Sequence, residues 1–206
     1  MKWLKKQNRL TKDFLSGEFS SVFWTCAAAF GILIVLGFIA GLINEDFAAD
    51  FVGRFTQQVD DMGVVNDDGT VSAAALFSNN LRATVFTILY GIVPFVFLPA
   101  IALGTNTILL GAFAAYYVHH KVSLLTYLAA LIPHGIFEFP ALVLAIALGI
   151  YLCKRINFTI RTGTKGVVRE TWGQILRVLV LRLIPLLLVA SVVEAYVTPL
   201  IVNLLV

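Results

Sequence analysis

The sequence predicts an all-α protein: a polytopic transmembrane helix bundle of about five spans with broken or re-entrant segments. Three observations predict it. Of the 206 residues, 59% are hydrophobic and only 13% are charged, against about 45–50% and about 25% in an ordinary soluble domain. Mean hydropathy is +0.90. Uncharged runs long enough to cross a hydrocarbon core of about 30 Å recur along the chain. This balance excludes a disordered chain and leaves no room for an ordinary soluble domain. No repeat or low-complexity segment divides residues 1–206, which read as a single membrane domain.

Residues 1–20 form a basic lead-in. Trp3, Leu10 and Phe14 interleave with Lys2, Lys5, Lys6, Arg9 and Lys12, the pattern of an amphipathic helix on an inner leaflet; a plain solvated lead-in is the alternative. The first span is Ser21 to Ile43. It is too long for a signal-peptide core, and no small-residue cleavage site follows it. Residues 44–80 are the long hydrophilic stretch. Phe47, Phe51, Phe55 and Val59 stand four apart, giving an amphipathic helix that covers the bundle or docks an outside partner. Asn66-Asp67-Asp68-Gly69 reads as a turn, and Ser72 as the N-cap of the next helix.

The second span is expected from Ala83 to Leu103, loosened by Gly91, Pro94 and Pro99. The third, Thr107 to Val118, would cover only about 18 Å, so residues 107–152 are read either as two spans or as a re-entrant unit. The fourth, Leu124 to Leu152, is interrupted by Pro133 and Pro140; the fifth, Ile175 to Val206, by Arg182, Pro185, Glu194 and Pro199. Between them, 153–174 is a basic loop.

Charge orients this arrangement. Lys and Arg crowd the lead-in and the loop with Lys154, Arg155, Arg161, Lys165 and Arg169, whereas the 44–80 segment carries seven acidic residues against Arg54 alone. Basic residues mark the cytoplasmic side, which places the N-terminus inside, the acidic segment outside and the C-terminus outside. The +3 net charge is therefore a topology signal and not a nucleic-acid signature. Cys26 and Cys153 lack any metal or redox spacing and read as small apolar residues.

Polar residues inside apolar runs are costly and persist when paired or functional. They are Asn79, Asn80, Arg82, Asn106, His134, Glu138, Arg182 and Glu194. Counting rises along the helices puts Arg82, His134, Glu138 and Glu194 in the outer half of the membrane. This suggests one buried cluster in which Arg82 pairs with a carboxylate and Asn79 and Asn80 satisfy the remainder. Three roles stay open: an ion-pair network fixing register, a proton or ion pathway, and a metal site of His134, Glu138 and Glu194. A zinc-hydrolase motif is absent, since the order is His-x-x-x-Glu with a single histidine. No nucleophile elbow, phosphate loop or dinucleotide fingerprint occurs, so neither an enzyme nor a cofactor is expected.

Three segments then carry a resemblance: Ser78-Asn79-Asn80-Leu81-Arg82, Pro133-His134-Gly135-Ile136-Phe137-Glu138-Phe139-Pro140, and Val193-Glu194-Ala195-Tyr196-Val197-Thr198-Pro199. In this order the chain resembles the stage II sporulation protein M family of integral membrane proteins. The resemblance implies a non-enzymatic membrane scaffold. In endospore formers its namesake serves engulfment, as the membrane component that anchors or recruits two peptidoglycan-degrading proteins. The expected partners are membrane lipid and extracytoplasmic proteins such as cell-wall hydrolases, docked through Phe47, Phe51 and Phe55, with a homo-oligomer left open. The alternative is a small transporter or channel with an ion or solute site at the polar cluster.

Overall fold

The computed structural model describes residues 2–61 and 70–204, and these form seven helices without a strand. The Asn66–Gly69 turn and the side chain of Val59 lie outside the described residues. A short basic helix, α1 (Lys2–Ser16), leads into α2 (Glu18–Ile43). Asn44 ends α2 and also starts α3 (Glu45–Asp61), its Oδ1 accepting from the Phe47 N–H at 3.1 Å. Ser72 caps α4 (Ala73–Leu89) as expected, accepting from the Ala75 N–H. The remaining helices are α5 (Pro99–His119), α6 (Leu124–Thr162) and α7 (Val167–Asn203). By length and composition, α2, α5, α6 and α7 each suffice to cross a membrane.

The second span does not run through Ala83–Leu103. After α4 and a 3-10 turn, Tyr90–Ile92, the helix stops, and Phe95 and Phe97 adopt left-handed backbone with φ of 64° and 50°. Pro94 and Pro99 explain the break: each lacks an N–H to continue a helix, and Pro99 instead starts α5 at a position where no donor is needed. The third span thereby gains about two turns upstream, starting at Pro99 and not Thr107. Its 21 residues reach about 31 Å at the helical rise, so α5, like α6, is long enough to cross a membrane by itself.

The prolines further on do not break their helices. α6 continues through Pro133 and Pro140 for 39 residues, running well into the segment read as a basic loop and leaving only 163–166 outside helix. Gly163 ends α6 at φ 68°, and Gly166 precedes α7 at φ 89°. In α7 the expected interruptions take the form of two π turns, Leu179–Leu183 and Val193–Val197, lying just upstream of Pro185 and Pro199. A wider turn is one way for a helix to absorb a missing donor.

The middle of the bundle is α6. From Ala141 to Cys153 nearly every side chain is buried, whichever way it points, as expected of a helix apolar all round. α2 lies antiparallel to it, with Phe30 against Phe139 and Phe19 against Tyr151. Phe14 closes that end by packing 4.8 Å from Phe19 and 5.5 Å from Tyr151. α4 runs parallel to α6, and the 3-10 turn that follows it touches α6 where Gly91 meets the Gly149 backbone. α2 and α5 run side by side in the same direction, with Gly37 on Ile108, Gly41 on Ala115 and Gly111 on the Ile34–Phe38 turn. Small residues permit that backbone approach, as in membrane helix pairs generally. Both cysteines are buried and free.

Candidate functional site

His134 and Glu138 are one helical turn apart on α6, so their side chains share a face. His134 Nε2 lies 3.9 Å from Glu138 Oε2. Glu194 reaches them from the second π turn of α7, and a ligand atom of each of the three lies within 4.8 Å of the others. On the far side of the imidazole, Nδ1 is 3.3 Å from Thr198 Oγ1. All three ionisable residues are half-buried. Gly135 shapes the group: a β-carbon there would meet the Phe139 ring at 2.8 Å, and that ring packs on Phe30.

The observed helix bounds place the group along α6. Glu138 is fourteen residues, about 21 Å, from the start of α6 at Leu124, and fourteen from Leu152. It is therefore midway along the apolar run of α6.

Not every expected member joins. Arg82 is exposed on α4, and its guanidinium lies over the Phe86 ring at 5.7 Å; among the described residues it forms no ion pair, so the expected Arg82–Glu138 pairing is not present. A cation over an aromatic face one turn away already has a partner. Asn79 and Asn80 are half-buried on α4 and make no side-chain hydrogen bond among the described residues. Asn106 turns back on its own helix, donating to the Ala102 carbonyl at 2.8 Å. Arg182 likewise donates to the Leu181 carbonyl, in the first π turn. His119 is remote from the group: its Nε2 donates to the Gly41 carbonyl at 2.9 Å, and its Nδ1 is 3.9 Å from Glu45. His120 stacks on Tyr116.

The aromatic face of α3 packs in part on the bundle. Phe55 meets Phe113 of α5 edge-on at 5.2 Å, and Ala48 is fully buried beside Gly41. Phe47 and Phe51 pack on each other and are half-buried. The amphipathic stripe thus meets the bundle through Ala48 and one edge of Phe55, whose ring is otherwise still exposed, and Glu45, Asp46, Ala49 and Asp50 are exposed on α3.

At the other end lies a polar group that the sequence reading missed. Arg155 Nη1 is 3.6 Å from Glu18 Oε2, and Arg155 also lies over Tyr151 and Phe158. Arg177 donates to Gln7 Oε1 at 2.9 Å, tying α1 to α7. A cavity of about 610 Å³ opens there between Asp13, Glu18, Arg155, Glu170 and Arg177. A second cavity, of about 520 Å³, lies between α1 and Arg182. Neither is lined by His134, Glu138 or Glu194. Thr198 was missed too. Its signal was its place one turn beyond Glu194 in the same motif.

An apolar helical bundle with two carboxylates and an imidazole gathered inside it defines a class: helical membrane proteins that carry an ionisable group at depth. Within that class the match is specific. The model of the stage II sporulation protein M family matches residues 20–199, so the chain belongs to that family. A further relative is an uncharacterised protein of Methanocaldococcus jannaschii, 28% identical over 149 residues, which are 70% of this chain and 64% of that protein. The chain thus spans less than two thirds of that relative's length. No solved structure matches the chain.

Proposed function

We propose that the chain is a non-enzymatic membrane scaffold that crosses the membrane several times and holds cell-wall remodelling proteins at its outer surface. The N-terminus and the 163–166 connection face the cytoplasm, and α3 and the C-terminus face outside. The observation that carries the reading is the arrangement of α3: its apolar side is fastened to α5 and its acidic side is left exposed over the bundle. A fixed, charged platform suits the recruitment of a basic partner surface. Family membership supports the partner class, since the namesake of the family belongs to a sporulation complex. The basic residues around Arg155, Arg161 and Lys165 support the orientation, and the parallel course of α2 and α5 with α6 antiparallel agrees with it.

A photo-crosslinking residue placed at Asp46 or Asp50 in living cells tests this. The expected result is an adduct with an extracytoplasmic peptidoglycan-acting protein, and none from the same probe at Thr164. A membrane-inserted chain that gives no adduct from α3 contradicts the proposal.

The second reading is a small cation transporter. The mid-depth position of His134, Glu138 and Glu194 favours it, because ionisable groups at that depth often serve transport.

A further inference from the structure

We propose that His134, Glu138 and Glu194 form a binding site for a first-row divalent cation such as Zn²⁺, which ties α6 to the second π turn of α7. Several observations converge on it. The donor set is one imidazole nitrogen and two carboxylate oxygens, a mixture suited to zinc and its neighbours more than to calcium or magnesium. The spacing is close to that of a site: with metal–ligand bonds of about 2.0–2.1 Å at tetrahedral angles, ligand atoms stand about 3.3 Å apart. The 3.9 Å between His134 and Glu138 and the 4.8 Å limit for the group leave at most about 1.5 Å to close to that spacing.

The imidazole is also positioned for the task. Donation from Nδ1–H to Thr198 Oγ1 leaves the Nε2 lone pair facing the carboxylates, the orienting contact that metal-bound histidines typically have. Charge balance points the same way. Two carboxylates lie together in an apolar bundle, and neither Arg82 nor Arg182 forms an ion pair with them among the described residues. Uncompensated charge there is costly, and a dication neutralises both carboxylates while leaving the imidazole neutral. The π turn contributes geometry, since the wider turn projects Glu194 towards α6.

The test uses the full chain, purified in detergent without a histidine tag, stripped with chelator and titrated with Zn²⁺. Binding is followed by calorimetry, and metal content is measured after desalting. About one equivalent is expected, together with a higher unfolding temperature. Glu138→Gln and Glu194→Gln, which preserve shape, should each abolish retention. Thr198→Val should weaken binding by about tenfold or more. A His119→Gln, His120→Gln double variant should bind like the unaltered chain. Zinc-edge X-ray absorption should show nitrogen and oxygen neighbours without sulfur. If the unaltered, monodisperse chain retains no Zn²⁺, protons must balance the carboxylates and the proposal fails. It fails equally if retention depends on His119 and His120, or if sulfur ligands appear. Should a Gln variant not fold, the unaltered chain, Thr198→Val and the absorption spectrum still decide the matter.

Discussion

The contact between α2 and α5 makes a quantitative prediction, because there a single methyl group meets backbone. A β-carbon on Gly111 would lie 2.5 Å from the Phe38 nitrogen and 2.9 Å from the Gly37 carbonyl carbon, and would also meet the Ile34 oxygen. None of these atoms can rotate away. Restoring an ordinary contact of 3.4 Å to the Phe38 nitrogen alone requires the helices to part by about 0.9 Å, and clearing the Ile34 oxygen requires more. A gap of that size forfeits roughly a quarter to a half of the dispersion energy of the atoms lining it. Gly111→Ala should therefore destabilise the protein by about 2–3 kcal/mol, the upper part of the range for overpacking. Gly37→Ala, whose β-carbon would lie 2.9 Å from Ile108 Cα, should do the same. The double variant should lose less than the sum, since the seam parts only once. The controls are Gly31 in α2 and Gly104 in α5, which have nothing within 4 Å of the added carbon. There Ala should be neutral or stabilising by up to about 1 kcal/mol through helix propensity. Unfolding in detergent by SDS titration, followed by circular dichroism, measures all five. If Gly111→Ala unfolds at the same point as Gly104→Ala, the close packing of α2 on α5 is wrong.

Two further predictions concern pairing and placement. Because Arg82 lies over Phe86 and not beside Glu138, the losses from Arg82→Ala and Glu138→Gln in metal-free buffer should add within about 0.5 kcal/mol; strong coupling in the thermal unfolding of the double variant would restore the ion pair. In a chain lacking Cys26 and Cys153, a cysteine at Asp50 should react with a membrane-impermeant thiol reagent on intact cells, and one at Thr164 should not. Both positions are exposed, so the reverse pattern would invert the orientation.

Composition and charge were enough to show a helical membrane bundle, because lipid demands long apolar runs whatever the tertiary detail. They could not show where helices end within continuous apolar sequence. Hydropathy runs unbroken across Ile92–Ala100, and only the local chemistry of Pro94 and Pro99 separates α4 from α5. The converse held at Pro133 and Pro140, where prolines that read as interruptions sit inside an unbroken α6. The association of His134 with Glu138 was legible from their spacing of four. That of Glu194 was suggested by depth alone. Its actual approach depends on a π turn, which has no simple period in sequence. Arg82 was misassigned because depth does not specify azimuth: α4 turns that residue outward, over Phe86. The Phe47–Phe51–Phe55 stripe was correctly amphipathic, but periodicity cannot say whether a stripe meets its own bundle or a partner.

The central claim is that the bundle holds its partners in place and does not conduct. Flux through proteoliposomes tests it most directly. The purified chain is reconstituted around a pH indicator and a divalent-cation indicator, and a gradient of protons or Zn²⁺ is imposed. The account predicts traces indistinguishable from protein-free liposomes, for the unaltered chain and for His134→Gln alike. A flux carried by the unaltered chain and abolished in His134→Gln would contradict it and establish the transporter reading.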